Sequence, residues 1–313
     1  MTPPILFTEA AEMRAFSREQ RRMGRSIGFV PTMGYLHEGH ISLVLAAKEK
    51  CDLVIASIYV NPTQFSKDED FGVYPRSQDA DLEKLKSAGC AAIFMPRTLY
   101  HQPPSAGAAD GRMVAGAHED IDYNAHCTWV NVEYLSQGLC AGSRPHFFRG
   151  VCTVVAKLFN IVEPDVACFG KKDYQQWRVL ERMTRDLDFS IEIVGMPIQR
   201  ESDGLAMSSR NALLTPEDRA AAPCIHKALN AAKEDVVAGH VTEVNTLRAH
   251  IASAIELGGG KIDYVQIVNA LTLKPMVGEI VVGGEENKNK QEPMLIAVAA
   301  HFGKVRLIDN VDF

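Results

Sequence analysis

Two histidines open the chemistry-bearing part of this chain, in the segment Pro31-Thr-Met-Gly-Tyr-Leu-His-Glu-Gly-His40. The segment lies between a short β-prone run, residues 27–30, and a run of apolar positions at helical spacing. A helix that begins near Gly39 would direct backbone N–H groups and the positive end of its dipole into the preceding turn. The pattern therefore predicts a phosphate-binding turn in which His37 and His40 donate hydrogen bonds to developing negative charge.

Two other interpretations of these histidines stay open at this point. Histidines near a helix start also act as helix caps or face the solvent. A zinc site is disfavoured, because the metalloprotease pattern requires His-Glu-x-x-His and the order here is His-Glu-Gly-His. The other segments of the chain have to decide between these roles.

Composition is that of an ordinary globular protein. The 313 residues are 46% hydrophobic and 23% charged, and this length favours two domains. A net charge of −6 argues against nucleic-acid binding, which depends on a basic surface. No apolar run is long enough to cross a bilayer and the N-terminus lacks the pattern of a signal peptide, so we expect a cytoplasmic protein with no membrane partner. The seven scattered cysteines favour neither a disulfide framework nor structural zinc.

Hydrophobic patterning predicts an α/β fold for the first part of the chain. Strands that alternate with helices of this length form a parallel sheet covered by helices on both faces. The predicted strands are 27–30, 53–60, 91–95, 166–169 and 191–195, and the predicted helices are 41–50, 77–88, 151–161 and 174–187. Residues 101–126 are rich in Gly, Ala and Pro and are interpreted as an exposed loop.

A smaller α+β domain is predicted to follow, so that the domains are 1–210 and 211–313. Thr215-Pro-Glu-Asp218 combines a capping residue, a proline and acids, and predicts a helix from Pro216 to about Ala238. A helix at 243–257 and strands at 262–268, 295–300 and 305–308 are predicted after it. The polar segment 283–292 is expected to connect strand-like runs at 279–282 and 294–300.

Four polar segments, 31–40, 61–65, 170–176 and 200–210, follow predicted strands. Parallel sheets bind ligands at the carboxyl ends of their strands, so we expect these segments at one edge. Residues 200–211 place two arginines and two adjacent serines in an otherwise unstructured junction. Guanidinium and hydroxyl groups suit the phosphates of a triphosphate, although such residues are also ordinary loop chemistry.

The segment Gly170-Lys-Lys-Asp-Tyr-Gln-Gln176 follows a strand and opens a helix, which repeats the arrangement of the histidine turn. Its lysines can neutralise phosphate charge. Asp173 is either a helix N-cap or a group that contacts a ribose or a metal-bound phosphate. Gln175 or Gln176 could instead reach a polar substrate, and a simple capped surface helix is the alternative.

Two amides lie on the proline-stiffened turn Asn61-Pro-Thr-Gln-Phe65. Amides recognise hydroxyl and carboxylate oxygens without adding charge, which suits a small polyhydroxy acid, although a simple Asx-turn has the same residues. Residues 143–150 add two arginines and His146 before a predicted helix, either as an anion-binding arrangement or as surface charge.

Together the four segments resemble the signature blocks of the pantothenate synthetase (pantoate–β-alanine ligase) family, in order and from about residue 5 to residue 310. The resemblance implies an ATP-dependent ligase of the nucleotidyltransferase superfamily, which includes class I aminoacyl-tRNA synthetases. The histidine segment corresponds to the His-x-Gly-His element of that superfamily, and Met207-Ser-Ser-Arg210 corresponds to its Lys-Met-Ser-Lys-Ser element. The implied fold is a Rossmann-like parallel sheet in residues 1–210, which binds ATP and pantoate, with residues 211–313 as a lid.

The implied reaction has two steps. The carboxylate of pantoate attacks the α-phosphate of ATP, which gives pantoyl adenylate and pyrophosphate. The amine of β-alanine then displaces AMP and forms pantothenate, a precursor of coenzyme A. The resemblance also implies Mg²⁺ with the ATP and a homodimer.

The resemblance assigns a role to each matching residue. His40 is the implied proton donor, His37 lies beside it, and the implied catalytic set is completed by Lys172, Ser208, Ser209 and Arg210. Pantoate contacts fall to Gln64, which also serves β-alanine, and to Gln176, with Asn61 beside both substrates. No protein side chain is assigned to a metal. The implied ATP-binding residues are Met33, Gly34, His37, Gly39, His40, Gly170, Lys171, Lys172, Asp173, the main chain of Gln199, Met207, Ser208, Ser209 and Arg210.

The chain departs from the family pattern in one block. The family commonly has Arg-Pro-Gly-His-Phe-Arg-Gly where this chain has Arg144-Pro-His-Phe-Phe-Arg-Gly150, which leaves the contact made by His146 open. Two rival functions are a nucleotidyltransferase that acts on another acid or on a phosphorylated substrate, and a regulatory module that binds nucleotide without catalysis. The amides at 61–65 and 175–176 argue against the first, and the joint presence of His37, His40, Lys172 and Arg210 argues against the second.

Overall fold

The computed structural model describes residues 3–66, 69–100, 126–280 and 292–313. The chain divides into two compact units. The first comprises Met1–Lys171 and Gln176–Pro197, and the second comprises Lys172–Gln175 and Ile198–Phe313. The compact units thus divide after Pro197, earlier than the predicted boundary between residues 210 and 211. The roles given to the two domains stay predictions.

The first unit contains a six-stranded parallel sheet with helices packed against it. All of its strand pairs are parallel, as the alternation of strands and helices predicted. Its strands are β1 (Ile5–Phe7), β2 (Ile27–Thr32), β3 (Leu53–Ile58), β4 (Ala92–Phe94), β5 (Val166–Gly170) and β6 (Glu192–Met196). Its helices are α1 (Ala10–Arg22), α2 (Glu38–Lys50), α3 (Gln78–Ala88), α4 (Cys140–Ser143), α5 (Phe147–Val162) and α6 (Tyr174–Asp186), the last of which begins in the short segment assigned to the second unit.

Strand order places the histidine segment at a topological switch point. The order is β1-β4-β3-β2-β5-β6, so the chain moves from β2 to β3 and β4 on one side and then crosses to β5 and β6 on the other. In doubly wound sheets of this kind, ligands bind beyond the carboxyl ends of the strands at the point of reversal. The segment that follows β2 occupies that point.

Close packing between α2 and β2 depends on a glycine. A Cβ atom at Gly28 would lie 3.0 Å from Ala47 Cβ and 3.2 Å from the Ala47 carbonyl oxygen. Ala47 and its helical neighbour Val44 are fully buried. The helix that carries His40 therefore lies directly on the backbone of its preceding strand.

The strand β1 and the helix α1 were not among the elements predicted from the sequence. Ile5 and Leu6 are half exposed, so β1 has no continuous buried face. The buried residues of α1 are Met13, Ser17 and Gln20, of which only the first is hydrophobic. The three residues of β1 are too few to show alternation, and α1 carries its helical periodicity in a segment of mostly polar and charged residues.

The second unit is the smaller α+β unit that was predicted. Its antiparallel sheet has the order β7-β8-β9, and two of its helices contribute buried apolar faces to the same core. Its helices are α7 (Pro216–Ala221), α8 (Cys224–Val237) and α9 (Val244–Leu257), and its strands are β7 (Lys261–Asn269), β8 (Met294–Phe302) and β9 (Val305–Asp312).

The single helix predicted from Pro216 to Ala238 is wrong, because the structure has two helices there. The first ends at Ala221 and the second begins at Cys224, on either side of Pro223. Proline has no N–H for the helical ladder and its ring clashes with the preceding turn, so a helix interior breaks at this residue. The signal was present in the sequence and was overlooked.

Several predictions concern residues outside the described part of the chain. The described part of the chain does not include most of the two predicted loops, residues 101–125 and 283–291. It also does not include residues 281–282 of a predicted strand. Within the described part, Glu279 of that strand forms only an isolated bridge to Glu243. Among the described helices, none has the length and apolarity needed to cross a bilayer.

Candidate active site

The two histidines of the turn cap the helix α2 reciprocally. His37 is the N-cap residue, with an extended backbone, and its Nδ1 accepts a hydrogen bond from the Gly39 N–H at 3.1 Å. The His37 N–H donates to His40 Nδ1 at 3.3 Å, and the two ring centroids are 4.1 Å apart. Because each Nδ1 accepts a hydrogen bond, the proton of each neutral ring lies on Nε2. Capping uses Nδ1 of each ring, whereas the predicted catalytic role would use Nε2, so the two roles that the sequence presented as alternatives do not exclude each other.

A buried carboxylate holds the backbone of the histidine turn. Gly34 and Tyr35 are both in the left-handed region, with φ of 83° and 50°. Asp81 of α3 is 2% exposed, and its two oxygens accept hydrogen bonds from the N–H groups of Tyr35 and Leu36, each at 2.7 Å. Lys84 of the same helix donates to the Leu36 carbonyl. This pair of residues fixes the unusual turn that brings His37 to the helix start.

Asp81 was not among the residues predicted from the sequence. It lies on the buried face of α3 together with Leu85 and Ala88, at positions i, i+4 and i+7. A buried carboxylate requires a hydrogen-bonding partner, so an acidic residue at an apolar position of a predicted helix indicates a structural role.

We expect Asp81→Asn to lower the free energy of unfolding by about 1–3 kcal/mol, because an amide keeps one acceptor and turns an N–H group toward the second backbone N–H. Urea denaturation measures the change. The matched control is Asp79→Asn, since Asp79 lies on the exposed side of the same helix. Equal losses in the two variants would contradict a specific role for Asp81.

The amide of Asn61 organises the turn that follows β3. Residues Pro62–Gln64 form a 3₁₀ turn after Asn61, which is 1% exposed. Its Oδ1 accepts from the Thr63 hydroxyl and from the Tyr100 hydroxyl, both at 3.0 Å. Burial raises the pKa of the Tyr100 phenol, so the phenol remains a donor at neutral pH. Its Nδ2 donates to Gln64 Oε1 at 3.1 Å and to the Gly150 carbonyl at 3.3 Å.

Gln64 joins this turn to the histidine segment. Its Nε2 donates to Met33 Sδ at 3.0 Å, so the structure brings together residues predicted for pantoate and for ATP.

The backbone carbonyl of Gln64 accepts from Arg144 Nη2 at 2.9 Å. Arg144 also forms an ion pair with Glu69, with 2.8 Å between Nη2 and Oε2. Arg144 therefore links the turn at residues 61–65 to Glu69. His146, whose contact was left open, is the N-cap residue of α5 and makes no side-chain cap hydrogen bond.

The helix α5 touches the same turn through a glycine. A Cβ atom at Gly150 would lie 2.3 Å from the Thr63 carbonyl oxygen. Real Cβ contacts are never this short, so only glycine allows the two backbones to approach this closely.

The third predicted segment begins at the end of β5. Gly170 ends the strand, and apart from Gly170 and its two chain neighbours no described residue has an atom within 4 Å of the position where its Cβ would be. Lys171 directs its ammonium group over the Trp177 ring, 4.9 Å from the ring centroid. Gln175 is buried and Gln176 is half-buried in the first turn of α6. Because β3, β2 and β5 are adjacent, the segments after all three strands begin at one edge of the sheet.

Lys172 and Asp173 belong to the second compact unit and lie in a single 3₁₀ turn, Lys171–Asp173. The Lys172 ammonium group is 3.7 Å from Asp173 Oδ2, which is a long ion pair. The Lys172 side chain is mostly buried and that of Asp173 is half exposed.

The segment predicted as an unstructured junction is ordered. The Met207 N–H donates to the Gln199 carbonyl at 2.9 Å and the Glu201 N–H donates to the Leu205 carbonyl at 2.8 Å, which makes a short hairpin. A 3₁₀ helix, Ser209–Leu213, follows it, and the Ser208 hydroxyl accepts from the Arg210 N–H at 3.3 Å. The error arose because the hairpin has too few residues to show strand periodicity.

The arginines of this segment have different surroundings. Arg200 binds both carboxylate oxygens of Asp309, at 2.7 and 3.0 Å, so its guanidinium serves the fold. Arg210 is half-buried, as are Met207 and Ser208, whereas Ser209 is buried. Asp203 pairs with Arg219 at 2.6 Å, and this hydrogen bond holds the pKa of the carboxyl below its ordinary value. The roles predicted for residues 207–210 stay predictions.

A doubly wound sheet with a histidine-capped helix at its switch point places the first unit in the Rossmann-like class of α/β proteins. The family model for "Pantoate-beta-alanine ligase" matches residues 5–312. The chain belongs to this ligase family, and the comparison supports the synthesis of pantothenate as its activity.

Individual relatives match over nearly their whole length. The pantoate–β-alanine ligase of Oryza sativa is 47% identical over 99% of this chain and 96% of its own length. The pantothenate synthetase of Heliobacterium modesticaldum is 47% identical over 98% of both chains. The crystal structure of pantothenate synthetase from Thermus thermophilus has a TM-score of 0.79 at 38% identity and covers 98% of both chains.

A second similar solved structure is a complex with ligands. It is the pantoate–β-alanine ligase from Francisella tularensis complexed with β-γ ATP and β-alanine. Its TM-score is 0.72 at 29% identity, and the match covers 98% of this chain and 97% of that one.

Proposed function

We propose that this chain joins pantoate to β-alanine with the consumption of ATP, through a pantoyl adenylate, and releases pyrophosphate and AMP. Family membership supports the overall reaction, and the ligands named for the Francisella tularensis relative support ATP and β-alanine as substrates. The observation that carries the proposal is the reciprocal cap at the switch point. Because Nδ1 of His37 and of His40 each accept a hydrogen bond, the proton of each neutral ring lies on Nε2.

In the first step, a carboxylate oxygen of pantoate attacks the α-phosphorus of ATP. The bond from that phosphorus to the oxygen of the β-phosphate breaks, and pyrophosphate leaves with the electron pair. Negative charge grows on the phosphate oxygens during this step. His37 and His40 donate hydrogen bonds to that charge, and the positive end of the α2 dipole adds to the stabilisation.

Lys172, Ser208, Ser209 and Arg210 are proposed to neutralise the β- and γ-phosphates. Gly170 and Asp173 are proposed to lie beside the ribose, with Lys171 nearby, and the main chain of Gln199 beside adenine. The open space at Gly170 supports this placement, because nothing within the described chain requires glycine there. Its φ is not in the left-handed region, so backbone conformation does not explain the residue either.

The amides hold the acid. We assign the hydroxyl and carboxylate oxygens of pantoate to Gln64 and Gln176. Gln64 is suited to the task because Asn61 and Met33 fix its amide from both sides. In the second step the amine of β-alanine attacks the acyl carbon of the adenylate, and the bond from that carbon to the AMP oxygen breaks.

Mg²⁺ is proposed to arrive with ATP, where it neutralises phosphate charge. Among the described residues, no group of three or more His, Cys, Asp or Glu side chains is arranged to hold a metal ion. Mg²⁺ usually keeps several of its waters and is held by substrate phosphates together with one or two carboxylates. We extend the proposal to a cytoplasmic location and to a homodimer. Sedimentation of the purified 34.4 kDa chain would test the homodimer.

The decisive experiment measures AMP formation with pantoate and β-alanine together and with each one omitted. We expect AMP only when both acids are present, and ATP–pyrophosphate exchange with pantoate alone. Exchange that requires a different acid would favour another nucleotidyltransferase. ATP binding without AMP formation in the complete mixture would favour a regulatory module.

A further inference from the structure

Two consecutive residues of β9, Asp309 and Asn310, are polar and buried, at 4% and 5% exposure. The Asp309 carboxylate accepts hydrogen bonds from Nη1 and Nη2 of Arg200, and its Oδ1 also accepts from the Asn310 N–H at 2.8 Å. The Asn310 amide donates through Nδ2 to the Lys172 carbonyl at 2.9 Å. Because successive side chains of a strand point to opposite faces, one short stretch of β9 contacts two separate segments.

Through Arg200, the contact with Asp309 extends to the hairpin formed by residues 199–207. Arg200 lies in the first strand of the hairpin, and its Nη1 also donates to the carbonyl of Gly204 in the turn, at 3.0 Å. The second strand of the hairpin leads directly into residues 208–210. The contact between Arg200 and Asp309 therefore ties the hairpin that precedes these residues to β9.

Stability alone is a weak reason for this arrangement. A buried arginine–carboxylate pair loses much of its attraction to desolvation, and well-packed apolar residues often give equal stability. What such a pair offers is a defined geometry, since the two-point contact fixes the guanidinium in one orientation.

We infer that the Asp309–Asn310 pair positions Lys172 and the Ser208–Arg210 segment relative to each other, so that both reach the phosphates of one nucleotide. The inference rests on the proposed function, because the role of both segments in phosphate binding is itself proposed. Asp309 and Asn310 are positioning residues and do not touch the substrate.

Three variants test this inference. Asn310→Ala removes the donor to the Lys172 carbonyl, and Asp309→Asn removes the charge that holds Arg200. The matched control is Asp263→Asn, which removes the charge from a different arginine–aspartate pair, formed by Arg306 of β9 and Asp263 of β7 with 2.8 Å between Nη2 and Oδ2. The control pair joins two strands of the sheet, and neither of its partners belongs to the two segments.

The readout is pantoate-dependent ATP–pyrophosphate exchange. We expect both test variants to lose about tenfold or more in kcat, because small misplacements of phosphate ligands weaken transition-state contacts. The KM for pantoate should stay within about twofold, because its proposed ligands lie elsewhere. The control should keep both constants. Wild-type kcat in both folded test variants, or an equal loss in the control, would overturn the inference.

Hydrogen exchange separates this inference from the proposed function. We expect faster amide exchange at residues 172–175 in Asn310→Ala and at 199–210 in Asp309→Asn, and at neither place in Asp263→Asn. If the wild-type protein shows no pantoate-dependent exchange of pyrophosphate, the proposed function fails, yet the amide data still decide whether the pair holds the two segments. Unchanged protection in both test variants would overturn the inference in that case as well.

Discussion

Replacing His40 with alanine is expected to lower the rate of pantoate-dependent ATP–pyrophosphate exchange about a hundredfold or more. The substitution removes Nε2–H, the proposed donor to the charge that grows on the transferring phosphate. It also removes Nδ1, which accepts from the His37 N–H at the start of α2. Near-normal release of pyrophosphate by His40→Ala would overturn the assignment.

Two further substitutions separate these losses. In His40→Asn the amide oxygen can replace Nδ1 as the acceptor of the cap, whereas in His40→Gln the amide nitrogen can approach the position of Nε2. We therefore expect His40→Asn to unfold at nearly the wild-type temperature and to be as slow as His40→Ala. His40→Gln should regain part of the rate. If His40→Asn were as fast as the wild type, the cap and not the donor would be the contribution of this histidine.

Replacing Gly150 with alanine is expected to damage both stability and substrate binding. The new Cβ would lie 2.3 Å from the Thr63 carbonyl oxygen and 2.6 Å from its carbon, and backbone atoms cannot move aside cheaply. Overpacking of this kind costs about 1–3 kcal/mol in unfolding free energy. The turn that moves away takes Gln64 with it, so the KM for pantoate should rise by about tenfold or more.

Gly142→Ala is the matched control for this prediction. Gly142 lies in α4, and no atom of the described residues is within 4 Å of the position of its Cβ. Alanine is favoured over glycine in a helix by about 1 kcal/mol, so the control should unfold no earlier than the wild type. Urea denaturation and initial rates at varied pantoate concentration measure both effects. A Gly150→Ala variant with wild-type stability and KM would contradict the close approach of α5 to the turn.

Local patterns in the sequence predicted the parallel sheet and the histidine turn well. Strand, turn and helix around His37 are encoded within about two dozen neighbouring residues, and apolar periodicity reports such local elements. The same argument explains the error in the helix predicted from Pro216 to Ala238. Periodicity continued through Pro223, and the missing N–H of that residue outweighed it.

Residues that hold the site from a distance could not be predicted in this way. Asp81 binds a backbone N–H 46 positions away in the sequence, and Asp309 binds Arg200 across 109 positions. No periodic pattern links such partners, because only the folded chain brings them together. For the same reason the sequence offered capping and catalysis as alternatives for His37, when the geometry allows both at once.

The contact between Gly28 and Ala47 has a consequence for the timing of binding. With 3.0 Å between the position of a Cβ at Gly28 and Ala47 Cβ, the helix α2 has no room to slide along β2. At the proposed nucleotide site, the backbone that carries the two capped imidazoles is thus already in place, so nucleotide binding would incur little further loss of conformational entropy at this turn. Adjustment to successive substrates must come from side chains and segments other than this strand and helix.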